Sequence, residues 1–382
     1  MSFAMSNLEV RLVRGRSMRD FLDVVDRVYQ DDPHFVRPLD RDLSDRLSPS
    51  KNPFFEHGAA ALFTAHRDGA CVGRVSASID RGHLRRYHDR TGFFGFFDTI
   101  DDRDVSRALL SRAEKWLLEQ GMTESRGPIS LNINEEVGCL VDGFDAPPYM
   151  LMPHHRPHQA ALIEDAGYAK TKDVIAWRYT VDDLPPRVRR AHADISALPE
   201  VVSRPVSYAN MESDVRTIMD VFNDGWSDNW SFVPLTESEM RKMAQDFKMI
   251  LIPEITRITT IDGEPAAVAV AIPNLNELVR DLDGKLFPLG LPKLLWRLKV
   301  KKPKTARVII LGIRKKFQHV RKYAGLSPYL YAELNKSGRA IGMTAGEFGW
   351  TLEDNGLINA GIRVMGAKPY KKYRIFTKRI AT

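Results

Sequence analysis

Residues 307–352 decide the fold, and they read RVIILGIRKKFQHVRKYAGLSPYLYAELNKSGRAIGMTAGEFGWTL. Arg307–Ile313 is an apolar run typical of a buried strand. Pro328–Ile341 has helical periodicity, with Ser327 predicted as its N-cap and Pro328 as its first residue. Glu347–Leu352 alternates like a second strand. The stretch therefore predicts strand, loop, helix and strand, with an anion site at the helix start, where backbone N–H groups are free.

The elements around this stretch come in a similar order in both halves of the chain. Asp68-Gly69 and Asp262-Gly263 each separate two strand-like runs and predict a hairpin turn. In the first half we predict the strand Leu8–Arg14, the helix Met18–Tyr29, the strands Ala59–His66, Cys71–Ile79 and Phe93–Phe97, the helix Asp104–Gln120, the strand Pro128–Ile133, the helix His158–Asp165 and the strand Val174–Tyr179. In the second half we predict the strand Val206–Ala209, the helix Ser213–Asn223, the strands Ile255–Ile261 and Pro265–Ile272, the stretch already quoted, the helix Leu357–Met365 and the strand Tyr373–Lys378.

The length of the chain predicts two α/β domains with mixed sheets. It has 382 residues and 43% hydrophobic content, enough for two cores of ordinary size. We predict an N-terminal domain at 1–182, a Pro/Arg/Ala-rich connector at 183–199, and a C-terminal domain at 200–382 with an insertion at 284–304.

Charge and hydropathy narrow the classes of function. The net charge is +7, and residues 284–332 contain no Asp or Glu against thirteen Lys and Arg. This concentration indicates an anionic partner, namely cofactor phosphates, lipid headgroups or nucleic acid, although a solvated basic surface is the alternative. The N-terminal segment lacks the apolar run of a signal peptide, so we expect a cytoplasmic protein. Cys71 and Cys139 lack zinc-ligand spacing, so no metal site is expected.

Residues 309–322 and 350–376 resemble the GNAT superfamily of N-acyltransferases, in particular long bacterial proteins with two such domains. The segments that carry the resemblance are LGIRKKFQ at 311–318, WTLEDN at 350–355 and YKKYRIF at 370–376, with NINEEVGCLVDGF at 132–144 and MPHHRPH at 152–158 in the first half. The resemblance covers most of the chain and extends to bacterial ceramide synthases, which acylate the amine of a sphingoid base with acyl-CoA.

The resemblance implies that the basic loop after the strand holds the pyrophosphate of CoA. The residues it assigns to this role are Leu311, Gly312, Ile313, Arg314, Gln318, Arg321, Lys322, Gly325 and Ser327. The usual loop has several glycines, and here only Gly325 remains, so an ordinary strand–helix turn is the alternative. In the first half Asp98, Asp101, Asp102 and Asp104 occupy the corresponding place and would repel a pyrophosphate. Cofactor binding is therefore predicted for the second domain.

Catalytic candidates follow in the second domain. Glu353 is our candidate general base, and Asn355 would orient the substrate or a water molecule; the alternative is that these residues cap the next helix. GNAT enzymes often protonate the leaving thiolate with a helix tyrosine, but Ile362 stands near that place. Tyr370 and Tyr373 are the substitutes, unless they serve only in packing.

Two further groups are candidates for substrate contact. Asn132, Glu135, Glu136, His154 and His155 could line a cleft, or form an exposed polar cluster. In the insertion a helix from Pro292 would place four leucines (Leu291, Leu294, Leu295 and Leu298) on one side, with Trp296 at the boundary and basic residues opposite. That helix would lie on anionic lipid or at the mouth of an acyl tunnel, and packing on the core is the alternative.

These observations favour an acyl-CoA-dependent N-acyltransferase that acylates a lipid amine such as a sphingoid base. We expect acyl-CoA and the amine as partners, with reversible contact to an anionic membrane surface. Two alternatives stay open: an aminoacyl-tRNA-dependent transferase of the Fem type, and a non-catalytic protein that binds acyl-CoA or lipid. The absence of a long charged helical arm argues against the first alternative, and therefore against a nucleic-acid partner.

Overall fold

A computed structural model describes residues 7–381, except the side chain of Phe247. Residues 1–6 of the N-terminal segment discussed above lie outside the described residues. The strands are β1 Leu8–Leu12, β2 Gly58–Arg67, β3 Ala70–Asp80, β4 Thr91–Thr99, β5 Glu124–Gly127, β6 Cys139–Asp142, β7 Ala169–Thr180, β8 Val201–Pro205, β9 Thr256–Ile261, β10 Glu264–Pro273, β11 Thr305–Ile313, β12 Ala345–Leu352 and β13 Lys368–Arg379.

The α-helices lie between these strands along the chain. They are α1 Met18–Val28, α2 Asp40–Arg46, α3 Phe54–His57, α4 Arg81–Tyr87, α5 Arg103–Glu119, α6 His158–Asp165, α7 Pro186–Ser196, α8 Met211–Trp226, α9 Glu237–Lys248, α10 Asn276–Val279, α11 Gly290–Val300, α12 Lys315–Gln318, α13 Leu326–Ala340 and α14 Gly356–Val364. Short 3₁₀ turns occur at Gly15–Ser17, Pro253–Ile255 and Arg321–Tyr323. The predicted mixed α/β fold is confirmed.

The chain forms two compact units. Unit 1 contains the residues up to Val174, the segment Val279–Gly290 and the residues from Lys371 onward. Unit 2 contains Ile175–Leu278 and Leu291–Tyr370. The boundaries between the units fall inside β7, α10, α11 and β13. The domain boundaries drawn from the sequence at 182 and 200 stay a prediction.

The sheet of unit 1 is mostly antiparallel. β1, β2, β3 and β4 pair in that order, β4 pairs in parallel with β5, and β13 pairs antiparallel with both β5 and β6. Apolar side chains of β2, β3 and β4 pack against α5, with Phe63, Val75 and Leu109 fully buried. Burial of such side chains stabilises each by about 1.5–3 kcal/mol, so α5 holds one face of this sheet.

The sheet of unit 2 has the order β8, β9, β10, β11 and β12, with an antiparallel ladder up to β11 and a parallel β11–β12 pair. α13 packs on one face through Leu330 and Tyr329, against small residues of β10 such as Ala267. α8 packs on the other face through Met219 and Phe222. The sheet is therefore covered on both faces by helices.

In unit 2, β11 and β12 pair only over their first residues. The parallel register runs from Thr305–Ala345 to Val308–Phe348, whereas the strands continue to Ile313 and Leu352. On the side that faces β10, β11 contains a bulge. Val270 of β10 lies opposite Ile310 and the next residue, Ala271, lies opposite Val308, so Ile309 has no opposite residue. The two strands therefore part next to a bulge, and this parting is called the splay below.

Unit 1 has a corresponding arrangement in which the splay is filled. β4 pairs with β5 only from Thr91 to Phe93, and a register shift lies between Arg74 and Ser76 of β3. Residues 127–131 then run close to β4, so that a Cβ on Gly95 would lie 2.3 Å from the carbonyl oxygen of Ile129. The chain itself occupies the space between the parted strands.

Two predicted strands need correction. The predicted strand Pro128–Ile133 is wrong: this segment makes an isolated bridge between Ile129 and Val137, because it packs flat on Gly95. The predicted strand Val206–Ala209 is also wrong, since Ser207 donates its N–H to Asp214 at 3.0 Å and turns the chain after β8. The segment 183–199, whose role as a connector stays a prediction, contains α7, which buries Val188 and Ile195.

Candidate active site

A buried ion pair stands where β11 and β12 part. Arg307 and Glu347 are opposite each other, one residue before the parallel pairing ends. Nε of Arg307 lies 3.0 Å from Oε1 of Glu347, and Nη2 of Arg307 donates to the carbonyl of Gly349 at 3.0 Å. Both side chains are buried, and two charges out of water need such mutual contacts to be tolerated. The pair therefore fixes the narrow end of the splay.

Tyr370 contacts this pair directly. Its hydroxyl donates a hydrogen bond to Oε2 of Glu347. Tyr370 is the third residue of β13 and is partly exposed, whereas the carboxylate that it contacts is buried. One of the predicted catalytic residues thus lies at the narrow end of the splay.

The open end of the splay contacts the end of α8. The indole Nε1 of Trp226 donates to the carbonyl of Leu311 at 2.9 Å. Gly225 approaches so closely that a Cβ there would lie 2.6 Å from the carbonyl oxygen of Ile313. Gln318 donates to the same oxygen at 2.7 Å. Leu311, Ile313 and Gln318 therefore lie together, whereas Gly312 packs beside Val268 in the core.

The basic loop that follows β11 is partly neutralised. Lys315 lies 2.7 Å from Asp228, and Lys322 lies 2.5 Å from Glu200. The side chains of the Lys315–Asp228 pair are well exposed, so water and salt weaken this pair, whereas Glu200 is largely buried beside the exposed Lys322. Arg314 donates to the carbonyl of Pro265 at 2.9 Å. Arg321 is exposed and has no ion-pair partner within residues 7–381.

The helix after this loop starts without a side-chain cap. Its N-cap is Gly325, and the first helical residue is Leu326. The prediction that Ser327 is the N-cap is therefore wrong: the helix begins before it because Gly325 already accepts the N–H of Tyr329 at 3.0 Å. Ser327 lies within the first turn, so its N–H is among those left free by the helix geometry.

The corresponding helix of unit 1 starts with a carboxylate instead. Asp102 is the N-cap of α5 and accepts hydrogen bonds from the N–H groups of Asp104 and Val105 at 3.0 and 3.1 Å. Asp98 does not lie in this loop as predicted, because it is a buried residue of β4 that pairs with Arg74 at 2.7 Å. A helix start that already binds a carboxylate is unsuited to a phosphate.

The remaining predicted catalytic residues lie elsewhere. Asn355 is the N-cap of α14, and its Oδ1 accepts from the N–H of Ile358 at 3.2 Å. Glu353 lies in the exposed turn before this helix, about 20 Å along β12 from Glu347 at the usual rise per residue. Tyr373 is buried in unit 1, where it stands opposite Leu140. The structure places Tyr370 in contact with Glu347. Glu353 and Asn355 lie farther along the chain, beyond the end of β12.

Three predicted substrate residues cluster around an arginine of unit 1. Arg46 lies 2.9 Å from both Glu135 and Glu136. Burial raises the pKa of Glu135, although the nearby Arg46 opposes this effect. Asn132 accepts the N–H of Asn134 through its own Oδ1 at 3.0 Å. These contacts form a polar anchor between α2 and the loop after β5.

The two predicted histidines are buried in the same unit. Nε2 of His154 lies 2.9 Å from Asp32, and Nδ1 of His155 accepts the N–H of Leu140 at 3.1 Å. Burial lowers the pKa of His155 to about 4, so its imidazole is neutral at physiological pH. Trp296, the last substrate candidate, is an exposed residue of α11 in unit 2. Within unit 1, the predicted histidines therefore have partners other than Arg46, which pairs with Glu135 and Glu136.

Arg307, Glu347 and Trp226 are residues that sequence reasoning did not assign to the site. A signal for the first two was present, since each is a charge within a predicted strand, where an isolated charge is costly unless it is paired. Within residues 7–381, no group of three His, Cys, Asp or Glu side chains is placed to hold a metal ion.

Comparisons with known proteins support one family. No family model matches the chain. Protein YghO from Escherichia coli is 38% identical to it, covering 95% of this chain and 93% of that protein. Bacterial ceramide synthase from Caulobacter vibrioides is 36% identical, covering 99% of this chain and 100% of that protein.

Solved structures share the fold at low sequence identity. A tandem GNAT protein from the clavulanic acid biosynthesis pathway matches with a TM-score of 0.58 and 14% identity, covering 98% of this chain and 99% of that one. A GCN5-related N-acetyltransferase from Sphaerobacter thermophilus matches with a TM-score of 0.56 and 11% identity, covering 98% and 96%. The chain therefore has the fold of tandem GNAT proteins and belongs to the family that contains bacterial ceramide synthase and Protein YghO.

Proposed function

We propose that this protein is an acyl-CoA-dependent N-acyltransferase that acylates the amine of a lipid such as a sphingoid base. The observation that carries the proposal is the splay of β11 and β12, with the bulge at Ile309 and the Tyr370–Glu347–Arg307 group at its narrow end. The name of the relative from Caulobacter vibrioides supports a lipid amine as the acceptor.

The splay is suited to an extended, amide-bearing molecule. Where two strands part, backbone groups of both edges become available to a ligand that lies between them. The N-terminus of α13 offers free N–H groups to an anion, and the exposed Arg321 and Lys322 stand just before it. We infer that the pantetheine arm of acyl-CoA lies in the splay and that its pyrophosphate lies at this helix start.

Amine acylation requires removal of a proton from the ammonium, stabilisation of an oxyanion, and return of a proton to the thiolate. The bulge at Ile309 gives β11 a backbone residue with no opposite residue in β10, and such a residue can present its N–H to the oxyanion. Tyr370 is the proposed proton donor of the thiolate. Glu347 positions its hydroxyl, and Arg307 keeps the charge of that carboxylate compensated. Glu347 is the proposed acceptor of the ammonium proton, which reaches this carboxylate through the Tyr370 hydroxyl and is returned through the same hydroxyl to the thiolate. Glu353 is the alternative base.

The test of this function is an acyl-transfer assay combined with a charge reversal. Wild type incubated with long-chain acyl-CoA and a sphingoid base should yield the N-acyl product, as measured by mass spectrometry. In the variant Arg321→Glu/Lys322→Glu, loss of charge-assisted contacts should weaken acyl-CoA binding by about 1–3 kcal/mol, or roughly 5- to 150-fold in Kd. Calorimetry of both proteins measures this difference.

The matched control is Arg103→Glu/Arg107→Glu, which reverses two charges at the start of α5 in unit 1. This control should bind acyl-CoA as wild type does, because Asp102 already occupies that helix start. Unchanged affinity in Arg321→Glu/Lys322→Glu, with folding intact, would remove the proposed site. No N-acyl product from any sphingoid base would reject the lipid acceptor.

We also propose that α11 makes reversible contact with an anionic membrane surface. The predicted apolar side needs correction, since Leu294 is buried whereas Leu295, Trp296 and Val300 are 56%, 54% and 61% exposed. Exposed apolar side chains beside a strongly basic segment suit the interface of an anionic bilayer. Within residues 7–381, no helix has both the length and the apolar character required to span a membrane.

Flotation with liposomes tests this contact. Wild type should float with anionic vesicles at low salt and much less with neutral vesicles, because each Lys or Arg near an anionic surface contributes about 1 kcal/mol. The variant Leu295→Ser/Trp296→Ser/Val300→Ser should lose flotation. The control replaces three other exposed apolar residues of unit 2 by Ser, namely Val202, Met249 and Leu357. Flotation that is independent of lipid charge, or equal loss in both variants, would contradict the proposal.

A further inference from the structure

Unit 1 contains a cavity at the open edge of β2. β1 covers this strand only from Phe63 to Arg67, and Val13 donates one more hydrogen bond to Leu62. The first residues of β2, from Gly58 to Ala61, extend beyond β1. Beside them lies a cavity of about 560 Å³. All residues that line it belong to unit 1, so it is separate from the splay of β11 and β12.

The walls of this cavity are mostly apolar. They come from β1, β2, α1, α5 and the segment around α2 and α3, and include Leu12, Met18, Leu47, Phe55, Leu62 and Trp116. Several of these side chains are only partly buried although they are apolar, which leaves hydrophobic surface in contact with solvent. The volume lies within the range of small-molecule sites. A ligand with an alkyl chain would remove this apolar surface from water.

One polar group of the cavity lacks a partner. The guanidinium of Arg112 on α5 lies 4.7 Å from the ring centre of Phe63, and within residues 7–381 its buried Nη1 has no hydrogen-bond partner. No carboxylate in this part of the chain forms an ion pair with Arg112. An unsatisfied buried donor is costly, and more so on a charged group. An anion that enters the cavity would satisfy it.

Two more charged residues line the cavity and are exposed. Arg14 adds a second positive charge at its rim. Glu119 is negative, but it lies two helical turns from Arg112 on α5, about 10 Å away along the helix axis. Its exposed carboxylate is therefore screened by water from a group bound at Arg112.

We propose that unit 1 binds a long-chain alkyl carboxylate in this cavity, with the carboxylate on Arg112 and the chain on the apolar walls. Guanidinium and carboxylate match in geometry and can form two parallel hydrogen bonds, which explains why a carboxylate suits this residue. The site goes beyond the proposed acyl transfer, since it uses none of the residues assigned to that reaction.

The test measures by calorimetry the affinity of the protein for three probes with alkyl chains of equal length. The probes are dodecanoate, dodecanol and dodecyltrimethylammonium, each used below its critical micelle concentration. Dodecanoate should bind with one-to-one stoichiometry and at least about 10-fold tighter than dodecanol, since a charge-assisted contact contributes about 1.5–3 kcal/mol. Dodecyltrimethylammonium should bind most weakly. Equal affinity for the three probes would overturn the proposal.

Variants locate the site. Arg112→Leu should weaken dodecanoate binding at least about 10-fold and leave dodecanol binding unchanged. Ala60→Trp fills the cavity and should abolish binding of both probes. The control Arg103→Leu, on the same helix but highly exposed, should bind as wild type does.

Two results would place dodecanoate elsewhere and overturn the proposal: unchanged binding in Arg112→Leu, or unchanged binding in Ala60→Trp. Circular dichroism checks that each variant is folded, and Arg112→Gln, which removes the charge but keeps a polar side chain, replaces Arg112→Leu if the latter unfolds. Arg321→Glu/Lys322→Glu should keep dodecanoate binding intact. The effect of that variant on acyl-CoA binding therefore tests the proposed function alone, and dodecanoate binding tests the unit 1 site alone.

Discussion

Tyr370→Phe should lower the kcat of acyl transfer by roughly 10²–10⁴-fold, the usual contribution of a positioned acid or base. The substitution removes one hydroxyl and keeps the ring, so KM for acyl-CoA should change little. The reason is the position of Tyr370 on Glu347 at the narrow end of the splay, where the leaving sulfur would need a proton. Steady-state kinetics over a range of pH measures the effect. The fall in kcat at high pH that comes from deprotonation of the general acid should be absent in Tyr370→Phe.

Glu353→Gln is the matched comparison, because Glu353 is the base that the sequence predicts. If proton transfer runs through Tyr370 and Glu347, Glu353→Gln should keep most of the wild-type kcat. Tyr373→Phe is a second control, since Tyr373 is a buried residue of unit 1. Wild-type turnover in Tyr370→Phe together with a large loss in Glu353→Gln would reject the assignment and favour Glu353.

Glu347→Leu should lower the free energy of unfolding of unit 2 by about 3–5 kcal/mol. Removal of one partner of a buried ion pair leaves the other charge uncompensated, and Arg307 is then buried without its carboxylate. The double variant Arg307→Met/Glu347→Leu should recover most of this loss, because both charges are replaced by apolar groups. Urea denaturation followed by tryptophan fluorescence measures both changes.

The control for this comparison is an exposed pair of the same unit. Arg339 lies 2.5 Å from Asp183, and both side chains are well exposed. Arg339→Leu should therefore cost no more than about 1 kcal/mol. If Glu347→Leu costs as little as Arg339→Leu, or if the double variant is no more stable than the single one, the pair does not stabilise the narrow end of the splay as described.

The sequence predicted those parts of the fold that depend on neighbouring residues. Both Asp-Gly hairpins are confirmed, because Asp68 and Asp262 have φ of 50° and the glycines after them 85° and 79°, values that few other residue pairs adopt. The long amphipathic helices are confirmed to within a few residues. Such signals are local, so a single sequence contains them.

Expectations that depend on distant partners were less successful. Asp98 was assigned to an acidic loop, yet it lies inside β4, since Arg74 stands opposite it in the register of β3 and β4. A charge within a strand can be recognised only when its partner is known. Ile129 had the apolar character of a strand residue, but the segment that contains it packs against Gly95 instead of extending a ladder.

The candidate site shows the same division. The sequence identifies Tyr370, whereas its contact with Glu347 joins residues of β13 and β12, which are not neighbours in the sheet. Arg307 and Glu347 are forty residues apart, and only the parallel register places them side by side. For Asn355, the capping alternative considered from the sequence matches its contact with Ile358. A catalytic role for Glu353 stays a prediction.

The distribution of unit 1 along the chain has a consequence for biosynthesis. β5 and β6 are made early, but their partner β13 is made near the end of the chain. At about 5–20 residues per second, the roughly 200 residues between Val174 and Lys371 take on the order of 10–40 s to translate. Throughout that time the nascent unit must keep an unpaired strand edge, the kind of surface on which chains aggregate. Unit 1 is therefore complete only after the residues of unit 2 have been made.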